Sequence, residues 1–303
     1  MTTHEIGPIA KKLIAAGRKH QRQQVVNLAA VRNARDQMRQ IIDRAKPEED
    51  IGTEYPGFAA YMYVTNWVLG LVEAVQDARE LGRFMERIAQ AEDAYMPEGP
   101  PMSPITRSMF WAWSLWDLTF GLKRESLGSI VLAISRVQGL DPTFLRILET
   151  LVESRLGLHV HEGMTDERIV LREMITGEVR RCVCPAGYDG RPGELWLARV
   201  LPPPVPAMDD AVVFATPYVI EAGRAAWQAY LDRTLPKVAT DPRTAYERLM
   251  KRGLGERFWF EYVFEAYARH QPEAVFLMGL PDVPESRPHS PHYVERALEA
   301  SSD

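Results

Sequence analysis

Two short residue pairs in the middle of the chain have the chemistry of metal ligands. They are His159-Val160-His161 and Cys182-Val183-Cys184, each with one residue between its two ligands. Side chains at positions i and i+2 of a β-strand lie on the same face, so each pair offers two ligands to one side of a sheet. Imidazole nitrogen and thiolate sulfur are the usual ligands of zinc. The spacing therefore predicts a zinc site at His159, His161, Cys182 and Cys184, and a metal-dependent enzyme is one hypothesis.

The same residue types are also common in proteins that bind no metal. Cysteine is a frequent small core residue, and a strand histidine often faces solvent. In a simple meander the two strands would lie about 9 to 10 Å apart, which zinc bonds of about 2.0 to 2.3 Å cannot span unless the sheet curls. We therefore expect no cofactor, with zinc as the alternative. The sequence contains no Gly-x-Ser-x-Gly, His-Glu-x-x-His, dinucleotide-binding or kinase motif, so no catalytic residue is assigned.

A glycine-rich loop from Pro185 to Gly193 separates two predicted strands. Its glycines, at positions 187, 190 and 193, are not followed by the Lys-Ser/Thr pair of a phosphate-binding loop. Polar side chains on a loop held between rigid strands are typical of a contact surface. The predicted binding residues of this surface are Tyr188, Asp189, Arg191 and Glu194.

Charge is distributed unevenly along the chain, although the net charge is only -5. Ten basic and two acidic residues lie between Pro8 and Lys46, whereas residues 47–100 contain three basic and eleven acidic residues. The basic segment is rich in Ala, Gln and Arg and predicts a helix. Its cations indicate a surface for an acidic partner or nucleic acid, with Arg32, Arg35 and Arg39 as binding residues. Alternatively, these charges face the acidic segment that follows.

A helical hairpin is predicted from Leu127 to Leu156, interrupted by Gly139-Leu140-Asp141-Pro142. Here glycine ends the first helix, aspartate caps the second, and proline occupies its first turn. With the strand that follows, residues 127–161 look like a winged helix-turn-helix, which makes DNA binding a further hypothesis. The mixed charges of the second helix, including Arg146 and Glu149, favour an ordinary helical hairpin instead.

The residue period changes from helical to alternating at residue 157 and returns to helical after Ile220. We predict an α+β fold, mostly helical, with a central small five-stranded antiparallel β-module of SH3 or OB size. The predicted domains are a helical region at 1–156, the β-module at 157–220, and C-terminal helices at 221–303 that pack back on the rest, with a loosely ordered tail at 281–303. The predicted strands are Leu158–His161, Arg168–Met174, Val179–Cys184, Glu194–Leu201 and Ala211–Ile220, and the last predicted helix is Glu256–His270.

Two stretches of the β-module carry a resemblance to known proteins. Leu171-Arg172-Glu173-Met174-Ile175-Thr176-Gly177-Glu178 and the Gly-Glu-Leu-Trp-Leu-Ala-Arg-Val-Leu-Pro run at 193–202 resemble a segment of a family of uncharacterised bacterial proteins. The segment is also similar to the β-region that accompanies SEC-C motifs, although the cysteine-rich motif itself is absent here. The resemblance implies a bacterial source and assigns no catalytic residue.

Composition narrows the classes of function. The 303 residues are 46% hydrophobic, enough to bury a substantial core, and the chain has only two cysteines. That number cannot make a disulfide framework, so we expect a reducing cytoplasm. The uncharged run from Tyr55 to Val72 has a helical part of about 15 residues, short of the roughly 20 that a bilayer requires, so we expect no membrane partner. The leading hypothesis is a non-enzymatic binding protein whose partner is a protein or a second copy of the chain, with nucleic acid as the alternative.

Overall fold

A computed structural model of the chain describes residues 6–21, 55–75, 81–96 and 103–288. Within these ranges it contains nine α-helices, one π-helical turn and nine strands. The helices are α1 (Pro8–Gln21), α2 (Pro56–Val75), α3 (Gly82–Tyr95), α4 (Arg107–Ala112), α5 (Leu127–Gln138), α6 (Pro142–Glu153), α7 (Arg224–Val238), α8 (Pro242–Arg252) and α9 (Phe258–Ala266). None of them is both long enough and apolar enough to cross a lipid bilayer.

The chain forms two compact units. Unit 1 is built from Met1–Ile88, Ser114–Glu153 and Pro203–Asp209, and unit 2 from Ala89–Trp113, Ser154–Pro202 and Asp210–Asp303. In unit 1, the described helices α2, α5 and α6 pack on one another, and the edge of Trp67 meets Phe144 at 4.9 Å between ring centroids. The strands all lie in unit 2.

The hairpin of α5 and α6 follows the local sequence closely. Gly139 adopts a left-handed conformation at φ 69° and ends α5. The Asp141 carboxylate accepts the backbone N–H of Thr143 at 2.8 Å, and Pro142 opens α6. The predicted turn between these two helices is therefore confirmed.

The sheet of unit 2 corrects the predicted fold class. It is a single curled sheet of nine strands in the order β5-β6-β3-β2-β1-β4-β7-β9-β8, with parallel pairs at β3–β6 and β7–β9 and antiparallel pairs elsewhere. The predicted small five-stranded antiparallel module is wrong. The strands are β1 (Gly157–Thr165), β2 (Arg168–Glu173), β3 (Val179–Val183), β4 (Leu195–Ala198), β5 (Val200–Leu201), β6 (Ala211–Val213), β7 (Tyr218–Ile220), β8 (Tyr267–Gln271) and β9 (Ala274–Leu277).

Local breaks explain part of the difference. The predicted fourth strand divides at Arg199, whose carbonyl accepts the Phe214 N–H at 2.8 Å, so that β4 pairs with β1 and β7 while β5 pairs with β6. The predicted fifth strand divides at Pro217, which has no N–H for a sheet ladder. Helix α9 ends at Ala266, and the chain from Tyr267 pairs with β9 instead of continuing the predicted helix to His270.

Strand register places many of the core side chains on one face of the sheet. We call it the Trp196 face, because Trp196 pairs with His159 on β1 and Val219 on β7, and side chains of paired residues share a face. Its buried apolar cluster comprises Ile169, Leu171, Cys182, Cys184, Trp196, Ala198, Ala211, Val213, Val219, Ala274 and Phe276. This face also carries the polar residues described next.

Candidate functional site

Polar side chains meet the Trp196 face at two places. The first, which we call the His159 cluster, consists of Arg155, His159, Glu173, Thr176 and Tyr246. The second is a loop, residues 185–194, which we call the clasped loop because His161 of β1, Trp196 of β4 and the loop's own Glu194 hold it against the sheet. Both places depend on β1, since His159 and His161 lie two residues apart on that strand.

A buried ion pair forms the centre of the His159 cluster. Glu173 accepts two hydrogen bonds from Arg155, at 2.5 and 3.0 Å, and a third from the Thr176 hydroxyl at 2.6 Å. Burial raises the pKa of the Glu173 carboxyl, but the bonds and charge of Arg155 outweigh burial and hold that pKa below its usual range. Glu173 is therefore a buried carboxylate with its charge compensated.

His159 lies beside this ion pair on the paired strand, because His159 and Glu173 are directly opposite in the β1–β2 register. Burial lowers the pKa of the imidazole to about 4, against the opposing effect of the Glu173 charge. Residue 157 must be small, since a Cβ there would lie 2.5 Å from His159 Nε2 and 2.6 Å from Glu173 Oε1. The histidine is neutral and tightly enclosed near neutral pH.

Tyr246 on α8 completes the cluster. Its hydroxyl accepts the Leu158 N–H at 2.8 Å, and the Arg155 guanidinium lies 5.0 Å from the centre of its ring. Burial raises the pKa of Tyr246 well above its usual range. Tyr246 thus joins α8 to the β1 backbone, and Arg155 contacts both Tyr246 and Glu173 of β2, which is the arrangement of a structural polar network.

His161 holds the clasped loop through both its imidazole ring and its own backbone carbonyl. Its Nδ1 accepts the Gly163 N–H at 3.1 Å, so the ring proton is on Nε2, which donates to the Asp189 carbonyl at 2.9 Å. The His161 carbonyl also accepts the Gly193 N–H at 2.8 Å. Both ring nitrogens of this histidine are thus occupied by protein groups.

Glu194, the last residue of the clasped loop, bonds the loop to itself and to β4. Its carboxylate accepts the Tyr188 hydroxyl at 3.1 Å and the Trp196 indole N–H at 3.0 Å. Burial, followed by the nearby Glu194 charge, raises the pKa of Tyr188 to about 12. Gly190, at φ 67°, passes so close to the indole that a Cβ there would lie 2.4 Å from Trp196 Cζ2. The backbone of the clasped loop is therefore fixed against the Trp196 face.

The predicted binding residues of this loop have two different roles. The side chains of Tyr188 and Glu194 bond to each other and hold the loop. The side chains of Asp189 and Arg191 are exposed, and neither forms an ion pair with another residue in the described part of the chain. The other predicted binding residues, Arg32, Arg35 and Arg39, lie outside the described residues.

The structure does not bring the two predicted metal-ligand pairs together. Cys182 pairs with Ile169 on β2, which pairs in turn with Met164, at the far end of β1 from His159. Both cysteines are buried free thiols, and burial raises the pKa of Cys182 to about 12 and that of Cys184 to about 11. Across residues 6–21, 55–75, 81–96 and 103–288, no group of three or more His, Cys, Asp or Glu side chains is placed to hold a metal ion.

The helix-turn-helix-like segment, residues 127–161, divides between the two units. Helices α5 and α6 belong to unit 1, whereas β1 belongs to unit 2. Arg136 on α5 forms an ion pair with Glu149 on α6 at 2.6 Å. Glu149 therefore neutralises a positive charge that could otherwise bind a DNA phosphate. DNA binding through this segment remains a prediction.

Arg155, Glu173 and Tyr246 were not singled out in the sequence. Glu173 did carry a signal, because it continues the alternation of Ile169 and Leu171 on the buried face of β2. A charged side chain on the buried face of a strand requires an oppositely charged partner, and for a glutamate that partner is typically an arginine. Tyr246 carried no such signal, since its role depends on where α8 packs.

Comparison of the chain with protein-family models, with curated proteins and with solved structures finds no match in any of the three. The resemblance to the β-region that accompanies SEC-C motifs therefore remains a prediction.

Proposed function

We propose that this chain is a non-enzymatic binding protein that contacts its partner through the clasped loop. The observation that carries the proposal is the separation of roles within residues 185–194. Tyr188, Glu194 and the backbone carbonyl of Asp189 fix the loop, while the side chains of Asp189 and Arg191 face solvent. A preorganised loop loses little conformational freedom on binding, which favours affinity.

The state of the chemically reactive side chains supports a binding role over catalysis. A nucleophile or proton-transfer group must reach the reacting atom. His159, Cys182 and Cys184 are instead buried, with pKa values displaced by that burial away from the neutral range. The proposed partner is a protein, and the proposed location is the cytoplasm, where the two thiols stay reduced.

Site-specific photo-cross-linking in cells tests the proposal. A photoreactive amino acid replaces Pro192, which is exposed beside Arg191, in one variant, so that Asp189 and Arg191 are both kept. It replaces Arg243 in the control, because the Arg243 side chain is 72% exposed on α8, far along the chain from the loop. We expect a discrete cross-linked product from position 192 and none from position 243. A position 192 variant that folds and yields no product, or equal products from both positions, would overturn the proposal.

A further inference from the structure

The exposed surface of the clasped loop carries opposite charges at short spacing. Asp189 and Arg191 flank Gly190, which has a positive φ and lies close against the indole of Trp196. Next to them, Glu273 lies beside Gly187, and the charge of Arg269 acts on Tyr188. Arg269 is already paired with Glu221 at 2.9 Å, so the exposed tip of the loop offers one charge of each sign, from Asp189 and Arg191.

We propose that the partner of the clasped loop is a second copy of this chain. A two-fold axis near Gly190 would place Asp189 of one copy against Arg191 of the other, and the same pair would form again on the opposite side of the axis. Interfaces with two-fold symmetry require this reciprocity, in which a patch is complementary to itself. The inference rests on the proposed binding function and names its partner.

The charge balance distinguishes this partner from others. A nucleic acid would select a surface of clustered cations, and a strongly acidic or basic protein would select a patch of one sign. Asp189 and Arg191 offer one charge of each sign instead. Exposed Gly187 and Gly193 add backbone without side chains, which lets a second backbone approach closely.

The expected association is weak, since one exposed ion pair changes an equilibrium constant by up to about fivefold. Sedimentation velocity over a wide range of protein concentration is therefore the measurement, with the full chain at low salt. Asp189→Arg gives a loop with two cations, and Arg191→Asp gives a loop with two anions. We expect each single variant to weaken self-association at least about tenfold, because both ion pairs are replaced by repulsion.

Two combinations of the same substitutions, one in a single chain and one between chains, make the test specific. The double variant Asp189→Arg/Arg191→Asp restores both pairs with reversed polarity, and an equimolar mixture of the two single variants forms them between unlike copies. We expect dimers to return in both samples. Arg243→Asp, an exchange at a highly exposed arginine on α8, is the control and leaves the dimer unchanged. Unchanged thermal melting shows that each variant is folded.

The outcomes separate this inference from the proposed function. A monomeric wild type at all concentrations, or dimerisation insensitive to both single exchanges, overturns the inference. If position 192 then cross-links to a different protein in cells, the binding function stands without self-association. A cross-linked product of twice the mass of the chain, together with recovery in the mixture, supports both.

Discussion

The His159 cluster and the clasped loop lie on the same sheet face but use charged residues in opposite ways. In the cluster, Glu173 is 5% exposed and its carboxylate is bonded to Arg155 and Thr176. In the loop, Asp189 and Arg191 are exposed, and the contacts that hold the loop come from backbone groups, His161 and the half-buried Glu194 carboxylate. The comparison separates charges that stabilise the fold from charges that are left for a partner.

The largest predicted effect is loss of the buried ion pair. Glu173→Gln leaves the Arg155 guanidinium without its counter-charge, and we expect the free energy of unfolding to fall by about 3 to 4 kcal/mol. This is the lower part of the range for breaking a buried pair, because the Arg155 side chain is 19% exposed. Urea denaturation followed by tryptophan fluorescence measures the change.

A matched control exists on the same pair of strands, β1 and β2. Arg172 and Glu162 form the same two-bond arrangement, at 2.5 and 2.9 Å, but their side chains are 42% and 33% exposed. Glu162→Gln is expected to cost less than about 1 kcal/mol. Equal effects of the two substitutions would contradict the structural role of the His159 cluster.

The second prediction concerns the loss of folding stability at acidic pH. His159 has a pKa of about 4 when folded and an ordinary value of 6.5 when unfolded, so the unfolded chain binds the additional proton between these values. Stability from the neutral imidazole is complete above pH 6.5 and falls by about 3 kcal/mol as the pH decreases to 4. Denaturation across this range should show a smaller decrease in His159→Gln than in the wild type. An identical pH dependence in that variant would disprove the assignment, and His270→Gln, at an exposed histidine, is the control.

The third prediction concerns the close approach of the loop to the sheet. Gly190→Ala places a Cβ against the Trp196 indole and also strains the positive φ, so we expect a loss of about 2 to 3 kcal/mol. Gly193→Ala has a positive φ but open space around the added carbon, and should cost about 1 kcal/mol. Thermal unfolding of both variants isolates the steric contribution, and a larger effect at Gly193 would show that the indole does not fix the loop.

The smallest predicted effect on stability comes from the exposed charges themselves. Both side chains are exposed and form no ion pair with another residue in the part of the chain that the structure describes, so Asp189→Ala and Arg191→Ala should each change the free energy of unfolding by less than about 0.5 kcal/mol. Cross-linking from a neighbouring position of the loop should decrease in the same variants. A stability loss comparable to that of Glu173→Gln would mean that these side chains serve the fold.

Local sequence patterns predicted the parts of the fold that depend on neighbouring residues. The turn at Gly139 and Asp141 follows from capping chemistry, and β1, β2 and β3 follow from alternation. Strand β8 could not be predicted from alternation, because it lies at the sheet edge and its residues do not alternate between buried and exposed. It is defined by its pairing with β9. The parallel pairs join segments far apart in sequence, and residue periodicity contains no information about such partners.

The candidate site was predictable to a similar extent. Glycine spacing and polar residues located the clasped loop, but not which side chains would hold it. Glu194 lies two residues before Trp196, so both side chains lie on one face of the strand and can bond to each other. Asp189 instead holds the loop through its backbone carbonyl and not through its carboxylate. The distance between the histidine pair and the cysteine pair depends on the register between strands β2 and β3, in which Cys182 lies opposite Ile169. The sequence pattern does not contain that register.

Amide hydrogen exchange at Gly193 tests the division of roles in the clasped loop most directly. This N–H donates to the His161 carbonyl at 2.8 Å and reports whether the loop is held on the sheet. We expect slow exchange in the wild type, the same rate in the Asp189→Ala/Arg191→Ala variant, and at least about tenfold faster exchange in Glu194→Ala. Fast exchange in the Asp189→Ala/Arg191→Ala variant, with slow exchange retained in Glu194→Ala, would contradict that division of roles.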